Sequence, residues 1–192
     1  MTGRKRKRMK NNYDLVYADP PWKQKKGGFR KSRPRQGSSL DYATLSLKDI
    51  EDILSGFHAP VLFMWTIDKF LRDAEDIGKR MGYKLHSRLI WDKGNGIAPA
   101  FTVRFAHEYL LWFYQSPMIP IAHAFRGKYT TVIRENATVH SKKPIAAYEF
   151  IENIYPWATK IELFARNKRE GWDCFGNETS KFPEQKVSII DE

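Results

Sequence analysis

The feature that most constrains this chain is a series of short apolar runs separated by stretches with helical spacing. Five runs read as strands: Tyr13 to Ala18 (YDLVYA), Pro60 to Trp65 (PVLFMW), Tyr83 to Trp91, Glu108 to Tyr114 (EYLLWFY) and Lys160 to Ala165 (KIELFA). Most are apolar at consecutive positions, which suits strands covered on both faces. Between them, Leu47 to Leu54 reads as a short helix with Ser46 as its N-cap. Phe70, Ala74, Ile77 and Met81 repeat at helical spacing before Gly82, and Ile145, Tyr148, Ile151 and Tyr155 mark a further helix. The glycine-containing segment 92–103 reads as a loop. Segment 115–140 is broken by prolines, with Tyr129 to Ile133 a candidate strand. Strands alternating with helices predict an α/β fold, a mostly parallel sheet flanked by helices. At 192 residues there is room for one such domain.

Charge is placed unevenly along this chain. The net charge is +11, and residues 1–36 alone hold 13 Lys and Arg against Asp14 and Asp19. The excess lies in two clusters, Arg4 to Lys10 and Lys23 to Arg35, and is the footprint of a polyanion-binding protein. The first cluster reads equally well as a solvated tail or a localisation signal. A single cysteine, Cys174, excludes an internal disulfide and a cysteine-rich zinc site, as expected of an intracellular, cytoplasmic protein. The five histidines (58, 86, 107, 123 and 140) lack metal-ligand spacing, so no metal is expected. Of these, His107, with Glu108, begins a strand that could border the site, and a structural histidine is the preferred reading.

The first strand ends at Asp19-Pro20-Pro21-Trp22. Two prolines cannot extend a ladder, so the chain leaves the sheet there, and ligands of open α/β sheets bind outside such carboxyl ends. The tetrapeptide suits activation of an amine on a heteroaromatic ring. The lone pair of adenine N6 is delocalised into the ring. The Asp19 carboxylate and the Pro20 carbonyl, accepting its two N–H groups, would localise it. Proline fixes φ and adds no competing donor, and Trp22 offers a face for a flipped or unpaired base. The alternative is a Pro-Pro turn with a buried tryptophan. Basic loop 23–40 follows directly, and Lys23, Lys25, Lys26, Arg30, Lys31, Arg33 and Arg35 are its candidate phosphate contacts, with loops 92–103 and 126–142 adding to them.

ADPPW at 18–22, YATLSL at 42–47, VLFMWT at 61–66, LIWDKGN at 89–95, HEYLLWF at 107–113, HSKKP at 140–144, KIELFAR at 160–166 and GWDCFGNE at 171–178 stand in that order. In these blocks the chain resembles the MT-A70 family of S-adenosylmethionine-dependent adenine-N6 methyltransferases. The resemblance implies a Rossmann-like methyltransferase sheet with permuted motif order, which accounts for the lack of G-x-G-x-x-G after the first strand. It places a methyltransferase domain at 13–178, between a basic tail at 1–12 and a C-terminal tail at 179–192.

The resemblance also implies S-adenosylmethionine as cofactor, leaving S-adenosylhomocysteine as product. It sets Lys143 beside the cofactor carboxylate, at a helix entrance that would itself favour an anion. Asp19 would also take the cofactor ammonium, Glu162, Leu163 and Phe164 would line the adenosine, and Arg166 would approach the ribose. Leu163 and Phe164 read equally well as core. Asn177 has donor and acceptor for an adenine edge, and Glu178 is suited to ribose hydroxyls. The substrate expected is DNA, with RNA as the alternative. A non-catalytic nucleic-acid-binding partner of an active methyltransferase is a third reading. A homodimer or a heteromeric partner is compatible with the resemblance.

Overall fold

A computed structural model describes residues 13–23, 44–94, 103–138, 142–177 and 179–180. Strand β1 (Leu15–Ala18) is followed by α1 (Leu47–Leu54), β2 (Val61–Thr66), α2 (Leu71–Arg80), β3 (Lys84–Asp92), β4 (His107–Tyr114), β5 (Val132–Arg134), α3 (Ile145–Ile154), β6 (Lys160–Leu163) and β7 (Trp172–Phe175). The strands form one seven-stranded sheet in the order β5-β3-β4-β2-β1-β6-β7. β1 pairs in parallel with β2 and β6, β6 with β7, and β3 with β5. Only β4 runs against its neighbours, antiparallel to both β2 and β3.

Period-two alternation sends side chains to two cores. Leu15 and Tyr17 of β1 face the layer of α3, with Ala147, Tyr148 and Ile151. Val16 and Ala18 face the layer of α1 and α2, with Ile50, Leu54, Ala74 and Ile77. Covered on both sides, β1, β2 and β6 are buried at every position, which is why β1 and β2 read as near-continuous apolar runs, while β6 buries Lys160 and Glu162 as well.

Local signals act where the sequence puts them. Ser46 accepts the Asp49 amide at 3.2 Å, and the Asp49 carboxylate accepts the Ser46 amide at 3.3 Å, a reciprocal capping box for α1. Gly82 takes φ of +85° just beyond α2, where other residues would be strained. Two elements differ from the sequence reading. The candidate strand in 129–133 is shorter and shifted, at Val132–Arg134, and β7 has no counterpart among the expected strands. β7 is an edge strand of only four residues with alternating burial, so its periodicity is too brief to register in sequence.

Candidate active site at the carboxyl edge of the sheet

Because β4 is reversed, its first residues, His107 and Glu108, lie at the same edge as the last residues of the other strands. Asp19 directly follows β1. Its amide donates to the Leu163 carbonyl at 3.3 Å, continuing the pairing with β6 by one residue before the prolines end it. The Trp22 amide then donates to the Pro20 carbonyl at 2.9 Å, and the Leu45 amide to the Pro21 carbonyl at 3.0 Å. These bonds fold Asp19-Pro20-Pro21-Trp22 into a fixed turn, in which the Pro20 oxygen keeps a second lone pair.

Trp22 differs from the expectation of an open stacking face. It is 4% exposed, lies against Phe70 with ring centroids 5.4 Å apart and planes 15° apart, and donates its indole N–H to the Trp65 carbonyl at 3.1 Å. The ring belongs to the core and anchors the turn.

Four side chains of alternating charge follow one another along the edge. Lys143 Nζ lies 3.0 Å from Asp19 Oδ1 and 2.7 Å from Glu108 Oε2, and Lys93 Nζ lies 2.6 Å from Glu108 Oε1. Lys143 also rests 5.1 Å from the centroid of the Trp65 ring, whose N–H donates to the Tyr17 hydroxyl at 2.6 Å. Asp19 and Lys143 retain 14% and 12% side-chain exposure, so their charges interact through little water. Burial raises the proton affinity of Asp19, and the neighbouring Lys143 and Arg166 oppose that rise without cancelling it. Burial acts in the same sense on Glu108, but the two ammoniums beside it bring its pKa down to about 2. Lys143 is moved upward: burial disfavours its charge, and Asp19 and Glu108 more than compensate.

Asp19 and Lys143, both candidates from sequence, lie together here. Glu108, read from sequence only as a possible border of the site beside His107, joins them with Lys93, which was not singled out. The available signal was a carboxylate at the start of an otherwise apolar strand. The entrance of α3 is also different from expectation. Its first amides, Ile145 and Ala146, donate to the two carboxylate oxygens of Glu135 at 2.9 and 2.8 Å. That helix terminus already holds an anion from the chain itself.

Of the residues expected around the adenosine, Leu163 is 0% exposed and belongs to the core beside Ile161 and Val16, so its side chain does not line a site. The Glu162 carboxyl is buried and accepts from the Tyr148 hydroxyl at 3.1 Å; burial pushes its pKa up to about 8. Phe164 turns the chain off β6 with φ of +63°, a left-handed conformation costing a non-glycine residue about 1–2 kcal/mol. Gly176 closes against this turn, since a Cβ there would stand 2.5 Å from the Ala165 carbonyl oxygen. Arg166 is buried and Asn177 is exposed just beyond β7. Lys23 is exposed; Lys25, Lys26, Arg30, Lys31, Arg33, Arg35 and Glu178 lie outside the described residues, as do both termini.

The sequence profile of the MT-A70 family matches residues 13–178, from the start of β1 to just past β7. The chain belongs to the MT-A70 family of adenine-N6 methyltransferases. The mostly parallel sheet is accordingly the family's Rossmann-like methyltransferase sheet. The chain is 29% identical to the type II methyltransferase M.MunI of Mycoplasma sp, over 94% of its own length and 82% of that protein. It is 26% identical to a putative N(6)-adenosine-methyltransferase MT-A70-like protein of Medicago truncatula, over 94% of its own length but 28% of the plant protein. A stretch of 51 residues is 41% identical to the human N(6)-adenine-specific methyltransferase METTL4, covering 27% of this chain and 11% of the human protein. The MT-A70 chain thus spans most of the Mycoplasma protein and about a quarter of the plant one.

Proposed function

We propose that this MT-A70 protein transfers the methyl group of S-adenosylmethionine to the N6 amine of adenine in DNA, with the base unstacked at the Asp19-Pro20-Pro21-Trp22 turn. The observation that carries the reading is Asp19, a partly buried carboxylate held 3.0 Å from Lys143 beside the prolyl carbonyl of Pro20. DNA is favoured because the type II methyltransferase is matched over 82% of its length, whereas the adenosine-directed plant relative is matched over 28%.

Asp19 and the Pro20 oxygen accept the two N–H groups of the amine and draw its lone pair out of the ring. Lys143 keeps Asp19 ionised so that it can accept. Burial raises the proton affinity of Asp19, which suits it to receive a hydrogen from a nitrogen that becomes cationic on methylation. Glu108, ionised down to about pH 2, holds Lys143 in place from the other side. S-adenosylmethionine supplies the electrophilic methyl group when bound. The donor set fits it: Asp19 for its ammonium and the remaining hydrogen of Lys143 for its carboxylate. Phe164, Arg166, Asn177 and Glu178 would hold the adenosine end. The Glu162 carboxyl, turned to Tyr148, is left out of this set. Lys23 and the other basic residues of loop 23–40 would contact phosphates.

Purified protein should be incubated with methyl-labelled S-adenosylmethionine and single- or double-stranded DNA, single-stranded RNA or structured RNA, with Asp19→Ala as control. Label in N6-methyldeoxyadenosine, absent from the control, is expected. Label in N6-methyladenosine alone would move the substrate to RNA. No label, together with no cofactor binding by calorimetry, would favour the non-catalytic reading.

A further inference from the structure

An unstacked adenine at Asp19 needs an aromatic surface, and Trp22 is already stacked on Phe70 inside the core. Exposed aromatic rings elsewhere are poorly placed. Trp157 follows α3 and precedes β6, at the opposite edge of the sheet. Tyr129 meets the ring of Phe150 and bonds Asn153 through its hydroxyl. Phe175 leans on Phe57, with centroids 5.1 Å apart.

Phe105 is different. It is 49% exposed, next to Arg104, which is also exposed, and two residues from Val103, which is 68% exposed. The Ala106 carbonyl accepts the Lys93 amide at 3.0 Å, so pairing with the end of β3 fixes the chain right beside Phe105. Phe105 stands three positions before Glu108, a backbone reach of at most about 10 Å. Glu108 and Asp19 share one ammonium, at 2.7 and 3.0 Å. Continuing at alternate positions are His107 and Tyr109, whose rings meet edge to face with centroids 5.0 Å apart.

Resting on the adenine reading above, we propose that Phe105 is the platform on which the target base stacks once it leaves its strand, with Arg104 meeting the flanking phosphate. A single exposed apolar side chain is ordinary on a protein surface. An exposed aromatic beside a cation, fixed by backbone pairing just ahead of the strand that carries Glu108 to the site edge, is matched to a nucleotide in both its apolar and its charged part. The motif tryptophan then shapes the turn from within, and β4 brings both the Glu108 carboxylate and the base platform to the same edge.

The test compares Phe105→Ala, Phe105→Leu and Phe105→Trp with the wild type, using an oligonucleotide that the wild type methylates. Because the side chain is half exposed, all three should melt with the wild type. Loss of one stacked base predicts that Ala and Leu raise the KM for the oligonucleotide about tenfold or more, while Trp retains it and the dissociation constant for S-adenosylmethionine is unchanged in all three. With 2-aminopurine at the target position, Ala and Leu should also alter the fluorescence of the bound base relative to wild type. Wild-type KM in the Ala variant, or a Leu variant equal to wild type, would overturn the platform. If the wild type labels no adenine, the adenine reading fails by itself. Fluorescence anisotropy with single-stranded DNA still decides the platform: unchanged binding by Phe105→Ala rejects it, and about tenfold weaker binding, restored by Trp, supports it as a base-stacking site.

Discussion

At the scale of single residues, the site works through how charge is distributed over four side chains. Asp19 and Glu108 share Lys143, yet burial leaves Asp19 with raised proton affinity, while Glu108, with Lys93 on its far side, is brought down to about 2. Lys143→Ala removes the nearest opposing charge from Asp19, whose pKa should then rise further. The acid limb of the kcat/KM profile should move to higher pH, and a limb at the wild-type position would show that Asp19 does not titrate in it. Lys143→Ala should also raise the dissociation constant of S-adenosylmethionine more than that of DNA, as calorimetry and anisotropy would measure. Asp19→Ala should abolish transfer without unfolding the protein; turnover in a variant with an unaltered melt would remove Asp19 from the chemistry. Asp19 was legible in sequence, because a carboxylate at a Pro-Pro strand end is a local feature, and Lys143 came from the resemblance, within the block HSKKP. The ion pairs that Glu108 and Lys93 make were not legible. Their significance depends on which strand lies next to which.

At the scale of elements, the turn after β6 and the entrance of α3 are where local preference is overridden. Phe164 holds φ of +63° because the following amide, Ala165, donates to the Phe175 carbonyl at 3.1 Å, and β7 closes over the turn through Gly176. In Gly176→Ala, the new Cβ would meet the Ala165 backbone at 2.5 and 2.6 Å, where neither atom can easily give way. The variant should lose about 1–3 kcal/mol in urea unfolding, the usual scale of overpacking. Cofactor affinity should fall with it if the adenosine end lies there, and a stable variant with normal affinity would separate the turn from the cofactor. At α3, Pro144 brings no side-chain cap, and Glu135 supplies both hydrogen bonds instead. Glu135→Ala should cost about 1 kcal/mol or somewhat more, the range for losing a helix cap that is also an anion at the positive end. Helix α1 needed no such help. Its cap, Ser46, was readable in sequence, and the box partner, Asp49, stands only three residues on.

At the scale of the whole molecule, two carboxyls, partly buried Glu108 and buried Glu162, give stability opposite pH dependences. Glu108 has a folded pKa of about 2 against an ordinary 4.5, so its contribution is present above about 4.5 and is lost as pH falls through about 2. Glu162 stands at about 8, so the contribution of its protonated form is complete below 4.5 and is lost as pH rises through about 8. Glu162→Gln should therefore flatten the decline in melting temperature between those values; an unchanged slope would assign it to other groups. The chain's excess of positive charge acts at this scale too. Neutralising Lys23, Lys25, Lys26 and Arg30 together should weaken DNA binding and reduce its slope against log salt by about 0.9 for each phosphate that is no longer neutralised. An unchanged slope would place the phosphate-binding cations elsewhere.

Sequence by itself determined the α/β class, the three main helices, the strand ends that leave the sheet at Asp19, and the family. Each of these rests on periodicity, on proline and glycine geometry, or on ordered blocks within one stretch of chain. Tertiary structure alone decided that β4 runs backwards, because antiparallel and parallel strands read alike when both faces are buried. That reversal brings Glu108 to the reactive edge. It decided as well that Trp22 turns inward onto Phe70, that Glu135 occupies the α3 entrance, and that Leu163 is core. In every such case the partner is distant in sequence, and the direction of a side chain follows from which elements meet rather than from its own identity.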